Sequence, residues 1–331
     1  MPALSVQPSD VERMANQTLL SYGRDSSAKY SRFWILLALA GVIATAGVAS
    51  DSTATVIGAM IVAPLMTPIL GTAFALVLAD RHRMGRSLLV VLGGALLVIA
   101  LGYGAGLLDP LNVLTEGNSQ VSGRVNPRLI DLIAALATGL VGAFALVRSD
   151  VADTLPGVAI AISLVPPLAV IGLTFEEGLY DESFGATLLF LTNVSAIIFT
   201  ATMVLLLYKV RETAKAMGGH VGDLSGVTLA AVVGVVALIA IPLGYSTQQL
   251  IRENTLKFQV GPIAQDWAAS NNWRVVDYEV TGDLLTVTAL GAPPEISTEA
   301  LRTSLDDSGY EEIDLTVQLV VGGTQSLPGA G

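Results

Sequence analysis

Residues 51–79 read DSTATVIGAMIVAPLMTPILGTAFALVLA, and this stretch decides the fold. It is as apolar as a membrane-spanning helix, yet Pro64 and Pro68 lie near its middle. Because proline has no N–H donor and clashes with the preceding turn, the pair predicts a break in the helix at membrane depth. Broken backbone inside a bilayer is tolerated where it is buried in protein or lines a polar cavity. The break is therefore the first candidate for a working site.

The same pattern returns 99 positions later in the chain. Residues 163–170 read SLVPPLAV, where Pro167 is the counterpart of Pro68, and Asp150 is the counterpart of Asp51. Interrupted apolar segments at matching places in two halves are typical of a transporter-like binding site.

The composition predicts a polytopic α-helical membrane protein. Of 331 residues, 52% are hydrophobic and only 14% are charged, which is too apolar for a soluble globule of this size. The chain has no cysteine, which excludes disulfides, thiolate metal sites and cysteine nucleophiles. Its two histidines, His82 and His220, stand beside basic residues or in polar loops, so we expect solvated side chains rather than metal ligands.

Seven apolar segments are each near the roughly 20 residues that cross a hydrocarbon core of about 30 Å. They are residues 33–49, 53–79, 87–108, 129–147, 151–173, 184–208 and 227–243. The first six form two groups of three, repeat 1 at residues 33–108 and repeat 2 at residues 129–208. Because three is odd, repeat 2 enters the membrane from the opposite side. The sequence thus predicts about seven transmembrane helices with a 3+3 inverted repeat that contains two proline-broken helices.

The loop charges predict the orientation. If the N-terminus is cytoplasmic, the inner segments hold eleven Lys and Arg residues and the outer loops hold two. This places residues 1–32 and the loop 209–226 in the cytoplasm, and the loop 109–128 outside. The seventh helix, residues 227–244, then places the C-terminal domain outside the cytoplasm.

The N-terminal segment contains a short amphipathic pattern. Apolar side chains recur at helical intervals from Val11 to Tyr22. Two interpretations fit: a helix that lies on the membrane surface, or a helix packed on the protein's own cytoplasmic face.

Residues 245–322 have the composition of a small soluble α+β domain. Helices are predicted at residues 246–265 and 297–308, a hairpin at 273–280 and 284–290, and a last strand at 313–321. From Arg252 onward there are four basic and twelve acidic residues, so we expect this surface to repel nucleic acid and anionic lipid. Residues 323–331 are predicted to be a flexible tail.

Three motifs resemble one prokaryotic family. The run VIGAMIVAPLMTPILG, the later SLVPPLAV and the LFLTNVSAI of the sixth span are similar to the uncharacterised hydrophobic membrane family catalogued as domain of unknown function three hundred and eighty-nine. The resemblance covers about residues 30–210. It implies a multi-pass protein of the prokaryotic cell membrane, and it supplies no substrate, reaction or binding residue.

The candidate site follows from the two breaks. A helix that restarts after a break presents free N–H groups, and a helix that ends before it presents free carbonyls. Thr67 and Ser163 add hydroxyl groups. The alternative is that the prolines only kink continuous helices. The candidate solute-binding residues are Ala63, Pro64, Met66, Thr67, Pro68, Ser163, Val165, Pro166, Pro167 and Asn193.

Three polar residues have two interpretations each. Asn193, ten residues into the sixth span, either joins helices or coordinates a solute. Asp51 and Asp150 either cap the broken helices or act as a gate.

The absence of certain residues and motifs from the sequence also restricts the possible functions. No ionisable residue lies in the middle of a predicted span, which disfavours a proton relay. No P-loop, zinc signature or G-x-S-x-G motif is present, so we expect neither an enzyme nor a bound cofactor or metal. Gly102 and Gly106 predict close helix packing, within a subunit or between subunits of a homo-oligomer.

The leading hypothesis is a membrane transporter or channel-like carrier for a small ion or polar solute, bound by broken-helix termini near the membrane midplane. The rival is a membrane-embedded oligomeric scaffold or sensor that presents the C-terminal domain. Under either hypothesis the expected partners are the lipid bilayer and other copies of the chain.

Overall fold

The fold is described from a computed structural model. It describes residues 6–23, 25–108, 118–148, 164–218, 221–222, 230, 248, 251–292, 294 and 296–322. The chain divides into two compact units, Met1–Ser246 and Thr247–Gly331.

The first unit is helical throughout its described elements. Its first half contains α1 (Pro8–Thr18), α2 (Ser26–Ala49), α3 (Thr53–Val62), α4 (Met66–Val77) and α5 (Arg81–Leu108). Its second half contains α6 (Ser119–Val125), α7 (Leu129–Val147), α8 (Val165–Glu176), α9 (Tyr180–Leu207) and α10 (Val210–Ala216).

Four of these helices, α2, α5, α7 and α9, are long and apolar enough to cross a membrane. The bent pair α3 and α4 makes a fifth candidate if it counts as one span. These helices indicate a membrane protein and correspond to five of the seven predicted segments. Only the last part of the predicted fifth span is described, as the short apolar helix α8. The predicted seventh span lies outside the described residues except for residue 230.

The helices of the two halves have matching bounds. Helices α4 and α8 are 12 residues long, α5 and α9 are 28 residues long, and in each pair the second helix begins 99 positions after the first. The turns between them also match. Asp80 N–H donates to the Ala75 carbonyl, and 99 positions later Leu179 N–H donates to the Thr174 carbonyl.

The residue before each of these donors has a positive φ angle, as the cap of such a turn requires. Ala79 has φ 53° and its counterpart Gly178 has φ 77°. The packing is reciprocal as well, because both α4 and α8 lie against both α5 and α9. Glycines permit the closest of these contacts, between Gly102 of α5 and Gly172 of α8. Gly102 and Gly106 of α5 therefore serve packing within the chain.

The N-terminal helix packs on the helical body. Helix α1 lies against α4, α7 and α10, and it buries Val11, Met14, Ala15 and Thr18. The Arg13 guanidinium donates hydrogen bonds to the main-chain carbonyls of Leu146 and Val147, at 3.0 and 3.3 Å. Of the two interpretations of the amphipathic pattern, this geometry supports the helix packed on the protein.

The second unit has the predicted α-β-β-α-β order. Helix α11 covers residues 251–269, and β1 (Arg274–Thr281), β2 (Leu284–Gly291), α12 (Glu299–Asp307) and β3 (Asp314–Val321) follow. In the sheet β1 pairs antiparallel with β2, and β2 pairs parallel with β3. The core includes Trp267, Leu285, Val287, Leu301 and Leu305. The predicted small α+β domain is confirmed, with its strands within one residue of the expected bounds.

Candidate functional site

The first proline element is a true break in the helix. Helix α3 ends at Val62, helix α4 begins at Met66, and the two helices are bent by 47°. The cap residue Ala63 is extended, with φ −69° and ψ 126°. Pro64 has no N–H, and Thr67 N–H turns to the Pro64 carbonyl at 3.1 Å, which starts the new helix.

Pro68 does not contribute to the break. It lies in the first turn of α4, where an N–H group would have no partner within the helix. Pro166 and Pro167 stand in the equivalent first turn of α8, which begins at Val165. Helices α4 and α8 therefore both carry proline in the first turn, where a helix tolerates it. Of the prolines in the first element, Pro64 alone lies between α3 and α4.

The break leaves main-chain acceptors without their usual donors. An intact helix would pair the Met60 carbonyl with the N–H of residue 64, and this residue is proline. Within the described part of the chain, no main-chain hydrogen bond reaches the carbonyls of Met60, Ile61 or Val62. All three residues line one cavity.

This cavity has a volume of about 380 Å³ and is lined by residues of five helices. The α3–α4 break forms one wall, and the ends of α1 and α7 and the start of α8 form the others. Its lining consists of Gln17, Thr18, residues 60–67, Leu70, Gly142, Ala145, Leu146, Leu164 and Val165. The cavity thus brings the first proline element together with the start of α8, which contains the second one.

The lining is polar without ionisable side chains. Its polar side chains are those of Gln17, Thr18 and Thr67, and the rest of its polarity is main chain. The Thr18 hydroxyl donates to the Met14 carbonyl at 2.8 Å, so its oxygen remains available as an acceptor. Hydrogen bonding and helix-end dipoles, rather than full charges, are what this surface offers.

Five of the predicted solute-binding residues line the cavity: Ala63, Pro64, Met66, Thr67 and Val165. Pro68, Pro166 and Pro167 are buried behind it in the first turns of their helices. Asn193 is 1% exposed in α9 and does not line the cavity. Ser163 and Asp150 lie outside the described residues.

Asp51 does not cap α3, which was one of its two predicted roles. The N-cap of α3 is Ser52, whose hydroxyl accepts from Thr55 N–H. The Asp51 carboxylate instead accepts from the Ser119 hydroxyl at 2.7 Å and from Gln120 N–H at 3.1 Å, at the start of α6. The Ser119 hydrogen bond is the main cause that lowers the pKa of Asp51 below its ordinary value of 3.8.

Sequence reasoning missed the part of the lining that α1 and α7 contribute. Gln17 and Thr18 belong to α1, and Gly142, Ala145 and Leu146 belong to the last two turns of α7. The amphipathic pattern of α1 was the available signal, since a helix with one apolar face requires a surface to cover. Nothing in the sequence of α7 distinguishes Gly142 from the other glycines of the spans.

Comparison with known proteins agrees with the resemblance. Residues 60–199 match the family described as "Domain of unknown function (DUF389)". An uncharacterized protein of Methanocaldococcus jannaschii is 32% identical over 197 residues, and the match spans 60% of each chain. No solved structure matches this chain. The matched residues 60–199 carry both proline elements, so this part of the chain is similar to the DUF389 family.

Proposed function

We propose that this protein is a carrier for a small polar solute or ion, and that the solute binds in the cavity at the α3–α4 break. The observation that carries the proposal is the cavity itself, which unites the carbonyl end of α3 with the first residues of both α4 and α8. A binding site built from interrupted helices at the junction of two repeats is the arrangement found in many secondary transporters.

The acceptors of the cavity support this proposal. A carbonyl group buried in a membrane protein without a donor costs free energy, commonly about 1–3 kcal/mol in proteins. Within the described chain no main-chain donor reaches the carbonyls of Met60, Ile61 and Val62, which line the cavity. A solute or water that donates hydrogen bonds to them recovers this free energy, so the break favours an occupied cavity.

The matching halves support an inverted repeat. If one three-span unit occurs twice, three features are expected. Helices α4 and α8 have equal lengths, as do α5 and α9; the turns at Ala79 and Gly178 are the same; and the packing of these helices is reciprocal. We propose that the units cross the membrane in opposite directions, because each contains three spans. The cavity would then lie between them, near the midplane.

The charge distribution supports a dipole-based carrier. No ionisable side chain belongs to the described lining, so protons are not expected to travel through carboxylates there.

We propose the orientation that the loop charges favour, with the N-terminus in the cytoplasm. The proposal also keeps the expectation of a homo-oligomer.

The test is solute flux through the full-length chain in liposomes. Stopped-flow swelling would be recorded with gradients of NaCl, KCl, urea, glycerol and glycine as separate probes. We expect swelling above protein-free liposomes with at least one probe, and loss of that swelling when Pro64, Pro68, Pro166 and Pro167 are replaced together by alanine. Equal assembly of both proteins with no flux in either would overturn the proposal and favour the scaffold function.

A further inference from the structure

Met66 and Gly142 face each other in the wall of the cavity. Both residues line it, Met66 as the first residue of α4 and Gly142 from α7. A Cβ atom built on Gly142 would lie 2.5 Å from the Met66 Cε methyl and 3.8 Å from the Leu70 Cδ atoms. The Met66 methyl group therefore occupies the space that a side chain at position 142 would fill.

This contact differs from those of Gly71 and Gly102, whose nearest neighbours are main-chain atoms. A Cβ atom on Gly71 would meet the Thr18 carbonyl at 2.5 Å, and one on Gly102 would meet the Ala169 carbonyl at 2.7 Å. Those glycines permit one backbone to approach another. At Gly142 the neighbour is the far end of a flexible side chain, which can move.

Met66 is an adjustable part of the wall, as Met60 and Gln17 are, and it is the one that contacts Gly142. Its unbranched side chain has three rotatable bonds and adapts its shape to the space around it. The neighbouring lining residues Ala63, Pro64 and Ala145 have short or rigid side chains. If the methyl of Met66 leaves the space beside Gly142, the free volume of the cavity decreases.

We infer that Met66 determines the size of solute that the cavity admits, and that Gly142 positions the Met66 side chain. Within the proposed carrier, this makes Met66 the specificity-determining residue and Gly142 a positioning residue. Substitution of Met66 by a smaller residue widens the cavity. A side chain at position 142 narrows it, by pushing the methyl of Met66 toward the solute.

The absence of native cysteine allows a test that does not require the solute. The full-length chain with Ala63→Cys would be treated with two methanethiosulfonates of equal charge, the small aminoethyl reagent and the bulkier trimethylammonioethyl reagent. The measured quantity is the ratio of their reaction rates. Met66→Ala should raise the relative rate of the bulky reagent at least about tenfold, as expected for space gained in a tight pocket.

Gly142→Ala should lower the same ratio, and the double substitution Gly142→Ala with Met66→Ala should restore it to the Met66→Ala value. Gly58→Ala is the matched control, because a Cβ atom at Gly58 would meet nothing within 4 Å. Met66→Leu, which nearly conserves volume, should stay near the parent ratio and shows that the site tolerates substitution. The inference would be overturned if Met66→Ala left the ratio of the two reaction rates unchanged. It would also be overturned if Gly142→Ala still lowered this ratio in a chain that carries Met66→Ala.

The same variants in the swelling assay separate the two proposals. Flux with unchanged size selection in Met66→Ala contradicts the inference and leaves the carrier in place. If the labelling ratios change as predicted but no probe crosses the membrane, the carrier proposal is contradicted. Met66 would then still be the residue that sets the width of the cavity.

Discussion

Gly102 of α5 and Gly172 of α8 bring two helices into backbone contact. A Cβ atom built on Gly172 would clash with the Ile99 carbonyl oxygen and would lie 2.9 Å from the Gly102 Cα atom. Neither atom can move without a shift of the whole helix. This contact joins helices of the two matching halves.

Gly172→Ala should therefore destabilise the helical unit. Overpacking of a tight contact typically costs about 1–3 kcal/mol, and here it would separate α5 from α8. The measurement is the loss of the monodisperse peak in detergent after heating. Gly104→Ala is the control, because it lies on α5 with nothing within 4 Å of its Cβ position. Equal heat resistance of the two variants would show that the α5–α8 contact is looser than described.

Arg13→Ala should release α1 from the helical body. The guanidinium donates to the last carbonyls of α7, where a cation is also favoured by the helix dipole. Hydrogen bonds to charged groups contribute about 1.5–3 kcal/mol. Hydrogen–deuterium exchange in residues 8–18 should accelerate in this variant. Arg32→Ala, at an exposed position of α2, is the control and should leave that exchange unchanged. If the two variants have the same effect on the exchange, Arg13 does not hold α1, and the apolar face of α1 accounts for its docking.

The Asp51 carboxylate should make the docking of α6 dependent on pH. Its pKa is lowered in the folded chain, so the stabilisation is complete above the ordinary value of 3.8 and is lost as the pH falls through the lower folded value. Asp51→Asn should reduce the melting temperature near neutral pH, and the difference from the parent should shrink at a pH of about 3. A constant difference at both pH values would mean that the carboxylate charge does not hold α6.

Ser119→Ala provides the reciprocal test, because it removes the donor of the 2.7 Å hydrogen bond. Its effect should resemble that of Asp51→Asn, and the double variant should be no less stable than either single one. Fully additive effects would show that the two side chains act independently.

Leu301 should be essential to the C-terminal domain. It is 0% exposed and packs in a core of its own, so residues 251–322 are expected to fold in isolation. Leu301→Ala should cost about 2–5 kcal/mol, a large part of the stability of a small domain. Urea unfolding followed by tryptophan fluorescence measures this loss. Leu284→Ala, at a position that is 39% exposed, should cost much less; similar losses would contradict the described core.

The sequence predicted the elements whose cause is local. The break at Pro64 follows from one missing N–H group, and the four long apolar helices follow from their hydropathy. The strands of the C-terminal domain follow from alternating side chains between turn residues. In each case the residues that determine the element are within it.

The sequence could not predict the partners of residues that meet across the fold. Asp51 stands before α3, yet it binds α6, 68 positions away, and Arg13 reaches α7, 133 positions away. The proline pairs were also predicted to act together, whereas Pro68 and Pro167 begin helices and only Pro64 stands in the described break. Helix starts and helix breaks both use proline, and only the position relative to the helix end distinguishes them.

The central claim is that a solute passes through the cavity beside Thr67. The most direct measurement is the swelling rate of liposomes that contain the Thr67→Cys chain, before and after complete reaction with the trimethylammonioethyl methanethiosulfonate. We predict flux before the reaction and its loss afterwards, while a chain labelled at Ser122→Cys, at an exposed position of α6, keeps its flux. Undiminished flux through fully labelled Thr67→Cys would contradict the account.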